Sequence, residues 1–151
     1  MRIGVLSDTH IHLAEEIHPE ILKVFPEMDL IVHAGDFVGS AVFEGLKRLG
    51  EVKAVHGNVD SMKLRGLLPD KELLVVGGKK IGITHGWGGP EGIEQRVLAL
   101  FEDVDIIIYG HSHRARVEQI GNILLFNPGP GYQSFGILTI ERDVQGEIVK
   151  I

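Results

Sequence analysis

The chain contains no cysteine, which excludes disulfides and every metal site built on thiolates. No apolar run approaches the roughly 20 residues that cross a bilayer. The first apolar stretch, residues 1–6, is too short for a secretory leader and runs straight into Ser7 and Asp8. It therefore reads as a first β-strand, and the expected location is cytoplasmic. Basic residues form no cluster and the formal net charge is -6, so neither membrane nor general nucleic-acid binding is expected. No glycine-rich phosphate fingerprint follows the first strand. Asp8, Thr9 and His10 stand there instead, which argues against a nucleotide-binding module.

The 151 residues suffice for one sizeable core. The balance of 44% hydrophobic and 24% charged residues is that of an ordinary soluble globular protein. The 20 glycines fall mainly between periodic segments, where they signal tight turns. No repeat, low-complexity segment or composition break divides residues 1–151, which read as a single domain.

Strand and helix signals alternate at first. Residues 1–6, 30–32 and 52–55 read as buried strands. Between them lie two helical faces: Ile17, Ile21, Val24 and Phe25, with Pro19 in the first turn, and Val42, Leu46 and Leu49, with Ser40 as N-cap and Gly50 as stop. Residues 73–76 and 80–84 read as a hairpin turning at Gly77 and Gly78. A helix carrying Ile93, Val97 and Leu100 follows, then a strongly apolar run from 104 to 109. The rest, 115–120, 123–126 and a hairpin over 136–151, looks antiparallel. The pattern predicts an α/β fold with a parallel and an antiparallel part.

Five of these strands end in residues that bind metals: Asp8 and His10, Asp36, Asn58, His85, and His111 with His113. In extended chain, residues two apart point the same way, so His111 and His113 are expected to leave their strand on one side. Singly, each residue is also what a turn or core accepts. Asp8 and Asp36 could cap turns, Asn58 could occupy a left-handed turn, and His85 could pack. Jointly they lie where open α/β sheets place their functional crevice, beyond the carboxyl ends of the strands. Nitrogen and hard oxygen donors without thiolate suit manganese, iron, nickel or zinc, and seven donors are too many for one ion. Asp36, central in the set, suits a bridge between two. Two divalent ions, two carboxylates and a hydroxide leave about +1 of charge, which favours an anionic substrate such as a phosphate ester. Two ions roughly 3.5–4 Å apart suit an in-line displacement.

The ordered blocks Asp8-x-His10, Gly35-Asp36, Gly57-Asn58, His85-Gly86 and Gly110-His111-Ser112-His113 closely resemble those of the calcineurin-like metallophosphoesterases. The size and the cysteine-free chain look most like the small bacterial and archaeal phosphodiesterase branch. The resemblance spans nearly the whole chain. It implies a four-layer α/β/β/α sandwich of two facing mixed sheets flanked by helices. It implies two divalent metal ions, manganese foremost, with nickel, iron or zinc compatible. Asp8, His10, Asp36 and His113 would hold the first ion; Asp36, Asn58, His85 and His111 would hold the second, with Asp36 bridging. Asn58 would also face the substrate phosphate, and a metal-bridging hydroxide would be the nucleophile. The chain departs from the pattern at Val59, where many relatives carry a histidine that assists the leaving group. Val59 cannot donate a proton, and such help is typically worth ~10²–10⁴ in rate. Activated phosphodiesters are therefore the expected substrates.

Other residues near the blocks attract plainer readings. Asp60 reads as a turn carboxylate, with a supporting role behind the site as the alternative. His33 and His56 read as packing or supporting residues, and His12 and His18 as a loop and a helix start. Trp87 either covers one side of the pocket or simply packs. The loop 127–131 resembles one near the family's active site, with Tyr132 and Ser134 just beyond it; Pro130 stands where relatives usually have serine. The reading is thus an enzyme acting on a small phosphodiester, against the alternative of a non-catalytic protein-binding scaffold of the same fold. A homodimer is the default on base rates.

Overall fold

A computed structural model describes all residues, 1–151. Its layers follow from strand alternation. In β1 (Arg2–Leu6), Ile3 and Val5 point to one side and Gly4 and Leu6 to the other, and all four are buried. A strand covered on both faces needs apolar residues at successive positions, which is why β2 (Leu30–His33) and β6 (Ile106–Ile108) are almost wholly branched aliphatic.

The remaining strands are β3 (Val52–Ala54), β4 (Lys71–Val76), β5 (Lys79–Thr84), β7 (Arg116–Ile120), β8 (Ile123–Asn127), β9 (Ser134–Ile140) and β10 (Val144–Lys150). They form two five-stranded sheets, ordered β10-β9-β1-β2-β3 and β4-β5-β6-β8-β7. The first keeps β1, β2 and β3 parallel, with β9 antiparallel to β1. In the second, β5, β6 and β8 are parallel, and β4 and β7 are antiparallel edges. The two orientations do not divide the chain into an early and a late part, as the sequence suggested. The C-terminal hairpin returns to pair with β1, so both sheets are mixed.

Three apolar layers hold the sandwich. Between the sheets lie Ile3, Val5, Val32, Ile83, Ile108 and Phe126 among others. Outside the first sheet, Leu6, Ile31 and Phe135 pack against Ile21 of α1 (Pro19–Val24), Leu46 of α2 (Ser40–Lys47) and Leu64 of α3 (Met62–Leu67). Outside the second, Ile107 and Leu125 meet Ile93 and Val97 of α4 (Ile93–Leu98). No helix is long and apolar enough to cross a membrane.

Local signals mostly match. Pro19 opens α1, and the His18 side chain caps it by accepting from the Glu20 N–H at 3.1 Å. Gly77 and Gly78 both have positive φ, 57° and 77°, as a two-residue hairpin turn of type I′ requires. The N-cap of α2 is Gly39 rather than Ser40, which is the first helical residue. Helix α3 carried no expectation. Ser61 caps it by accepting from the Leu64 N–H at 3.3 Å, but its six residues bury only Leu64 and show no periodic stripe.

Phe126 locks the sheets together. Its ring lies where Gly136 of β9 and Gly146 of β10 would otherwise carry side chains. Phe126→Ala should therefore cost ~3–5 kcal/mol, the usual cost of emptying a buried aromatic site. Chemical denaturation should show the midpoint falling with the slope unchanged.

Candidate metal centre

The parallel strands of each sheet deliver their carboxyl ends to one rim. Loops after β1 and β2 run side by side there, laced by Asp8 N–H to Gly35 O at 2.9 Å, His10 N–H to Asp36 O at 3.1 Å and Ile11 N–H to Phe37 O at 2.8 Å. The loop after β3 approaches so closely that a Cβ on Gly57 would meet the Asp36 carboxylate. The loops after β5 and β6 arrive from the facing sheet, and Gly110 passes against Ser7 and Asp8 with no room for a side chain.

Asp8, His10, Asp36, His111 and His113 all have positive φ, between 51° and 71°. Non-glycine residues enter this region at a cost, of order 1–3 kcal/mol each, and persist where surrounding structure holds them. The expectation that His111 and His113 leave an extended strand on one side is therefore wrong. The chain coils after Gly110 and the two imidazoles diverge. His113 Nε2 turns to Asp8 Oδ1 at 3.4 Å, whereas His111 Nδ1 faces His85 Nε2 at 3.3 Å.

The two carboxylates are built alike. Each spends one oxygen on fixed donors and aims the other at histidines. Asp8 Oδ2 accepts from Ser7 Oγ at 2.6 Å and the His111 N–H at 3.0 Å. Its Oδ1 is buried without any hydrogen bond and is faced by Nε2 of His10 at 3.7 Å, His85 at 3.8 Å and His113 at 3.4 Å. Asp36 Oδ1 accepts from the Val59 N–H at 2.9 Å. Its Oδ2 faces Nε2 of His85 at 3.1 Å and of His10 at 3.6 Å. Two groups close enough to share an ion result: Asp8, His10 and His113; and Asp8, Asp36 and His85.

Burial opposes ionisation of Asp8 and Asp36. The His10, His85 and His113 imidazoles with Ser7 around the first, and His85 with the Val59 N–H around the second, together outweigh it, so both lie below the ordinary carboxylate value. His10 is raised, chiefly by the Asp8 carboxylate beside it. His85 is also raised: burial works against the imidazolium, and the Asp36 and Asp8 carboxylates with the Ala34 carbonyl together overcome it.

The imidazoles fit a metal in detail. His85 Nδ1 lies 2.8 Å from Ala34 O, and His111 Nε2 lies 2.8 Å from Gly88 O. A carbonyl can only accept, so each ring puts its N–H there. In the neutral rings the nitrogens that face each other at 3.3 Å then both present lone pairs, an arrangement that calls for a cation between them. Carbonyl partners of this kind fix tautomers in metal-ligating histidines. Asn58 is exposed beside the same group and borders a cleft with His85.

Some residues differ from their first readings. Asp60 is no solvated turn carboxylate. It is 6% exposed, and its two oxygens accept from the N–H groups of Asp36, Val38 and Gly57 at 2.9, 3.0 and 2.7 Å, tying two site loops together. Asn127, at the end of β8, donates to Gly110 O at 3.3 Å and Ser112 Oγ at 3.1 Å, bracing the third. His33 is a core residue stacked on Phe37, with its pKa pushed down to about 3 by burial. Ser134 is buried on Pro128 O, while the Tyr132 hydroxyl reaches His113 Nδ1 at 3.5 Å. Trp87 and His56 line the cleft. Asp60 had one signal in the sequence, a carboxylate two residues after Asn58; the backbone amides it serves had none.

A rim of carboxylates and imidazoles between two mixed sheets defines an α/β/β/α sandwich with a candidate metal site at one end of its strands. The model of the calcineurin-like phosphoesterase superfamily domain matches residues 1–141, and the chain belongs to that family. It is 38% identical to a probable metallophosphoesterase of Methanocaldococcus jannaschii, over 100% of this chain and 82% of that one. It is 31% identical to a phosphodiesterase of the same archaeon, over 99% of each. Among solved structures it resembles zinc-complexed Vps29 from Entamoeba histolytica, with a TM-score of 0.76, 26% identity and 99% of each chain covered.

Asp60 should matter without touching a metal. Asp60→Asn replaces a purely accepting carboxylate that serves three N–H groups. It should weaken manganese binding about 10–100-fold, as loss of a partner behind the ligands usually does. Calorimetric titration with the metal checks it.

Proposed function

We propose that the chain is a dinuclear metal-dependent phosphodiesterase. Asp8, His10, Asp36 and His113 would hold one divalent ion, and Asp36, Asn58, His85 and His111 the other, with Asp36 shared. Manganese is the foremost candidate, with nickel, iron or zinc compatible with the same donors. The observation that carries this reading is the orphaned, buried Asp8 Oδ1 among three imidazole nitrogens, a position that a bound cation would satisfy. The similarity to a named phosphodiesterase across the whole chain supports the same conclusion.

When bound, such ions would supply a nucleophilic water deprotonated near neutral pH and offset charge developing at phosphorus. The chain's own residues do the rest. Asp8 and Asp36 balance half of that positive charge, leaving enough to attract one phosphate. The His85 and His111 rings are held by backbone carbonyls, so no reorientation is needed when substrate arrives. Asn58, exposed at the cleft mouth, offers its side-chain amide to a phosphate oxygen. Val59 is 42% exposed and uses its N–H on Asp36. Its side chain has no proton to give, so the departing alcohol must leave largely unaided.

Purified protein should therefore bind about two manganese ions per chain, counted by elemental analysis after loading. It should hydrolyse bis(p-nitrophenyl) phosphate in a chelator-sensitive way. A protein that stays metal-free and inactive after manganese loading would move the reading to a protein-binding scaffold. Val59→His should raise monoester turnover relative to diester turnover, by up to about 10²-fold where protonation limits the rate.

A further inference from the structure

Beside His85 and Asn58 lies an open cleft of about 320 Å³ that the site as described leaves unexplained. That volume is at the lower end of pockets that take small ligands, and well beyond what one phosphate group fills. Its far walls carry Arg65 from α3, Lys71 from β4, Trp87 and Leu100, with one carboxylate, Asp70.

Two features mark it as built to hold something. The lysine and arginine ion pairs of the molecule involve Lys47, Lys80, Arg114 and Arg116, so Arg65 and Lys71 make no ion pair, and with Asp70 they leave the cleft wall one positive charge in excess. Trp87 is 47% exposed, yet its loop is pinned. Arg96 of α4 donates through Nε to Trp87 O at 2.8 Å, through Nη1 to Glu91 O at 3.1 Å and through Nη2 to Gly89 O. His111 ties Gly88 of the same loop to the candidate metal centre. One guanidinium thus holds three carbonyls of a glycine-rich loop and fixes the backbone from which an exposed indole reaches the cleft wall. An exposed aromatic face on a fixed backbone offers a stacking platform at reduced entropic cost. Two cations against one carboxylate in the same cleft suit an anion.

We propose that the substrate is nucleotide-like: its scissile phosphate lies at Asn58 and His85, one arm stacks a planar base on Trp87, and a second phosphate on that arm pairs with Arg65 and Lys71. The proposal rests on the phosphodiesterase reading and names the class of diester it serves.

The test compares two activated esters with one leaving group. They are thymidine 5′-(p-nitrophenyl phosphate) and the same compound carrying a 3′-phosphate. In each, water adds to the scissile phosphorus, the bond to the p-nitrophenyl oxygen breaks, and p-nitrophenolate departs with the electron pair. The 3′-phosphate should raise kcat/KM by about tenfold or more, and Arg65→Gln/Lys71→Gln should erase that advantage. Lys23→Gln/Lys53→Gln, which removes two charges elsewhere, should keep it. Trp87 is the only tryptophan, so its fluorescence reports the cleft without any turnover. Thymidine 3′,5′-bisphosphate should quench it in chelator-treated protein, and the Arg65/Lys71 double variant should bind about tenfold more weakly or worse.

Equal rates for the two thymidine esters would overturn the proposal while leaving the phosphodiesterase reading intact, provided bis(p-nitrophenyl) phosphate is cleaved. Loss of all turnover, including that small diester, overturns the phosphodiesterase reading. The fluorescence titration then decides the cleft by itself: quenching that weakens in the double variant upholds the bisphosphate site, and quenching that is absent, or equal in both proteins, rejects it.

Discussion

Two buried carboxylates that aim oxygens into one small space require positive charge between them. Asp8 and Asp36 are in that position, 0% and 2% exposed, and like charges so placed repel unless compensated. Three imidazoles, His10, His85 and His113, crowd the same oxygens. Without metal, protons on the histidines can supply the compensation, which is why His10 and His85 lie above their ordinary value. A divalent ion supplies it more fully and satisfies Asp8 Oδ1 directly. The rim is thus poised for exchange of protons for metal.

That arrangement is costly to hold, and much of the surrounding structure answers the cost. Five of the seven candidate ligands sit in the left-handed region, and no local preference of aspartate or histidine accounts for so many together. They are fixed by backbone lacing between the β1 and β2 loops, by Asp60 beneath Asp36 and Gly57, and by Asn127 beneath Gly110 and Ser112. The sandwich makes this possible. Its parallel strands are rigid, covered on both faces, and end together, so strained loops are mounted on a stiff frame rather than on one another.

The division of labour around the rim is spatial. Charge compensation gathers on the side of Asp8, Asp36 and the four histidines. The cleft beyond His85 carries Arg65, Lys71 and the indole, on a loop whose backbone carbonyls are held by Arg96. Val59 stands near the junction without a titratable group.

The strands, most helices and the family were legible in the sequence, because burial on both faces leaves continuous apolar runs and because five strand ends repeat one chemical theme. The family's ordered blocks, rather than residue type, separated His85 from His33, which is a core residue stacked on Phe37. What the sequence alone could not supply was direction. Alternation in an extended chain put His111 and His113 on one side, whereas coiling after Gly110 sends them to different partners. Nor did it reveal Asp60, whose partners are backbone amides, or Arg96, whose partners are carbonyls; main-chain groups carry no signature in residue identity. Local sequence determined which groups would reach the rim. Only the tertiary structure, by packing two sheets face to face, decided which of them would face each other, since those distances depend on packing between segments far apart in the chain.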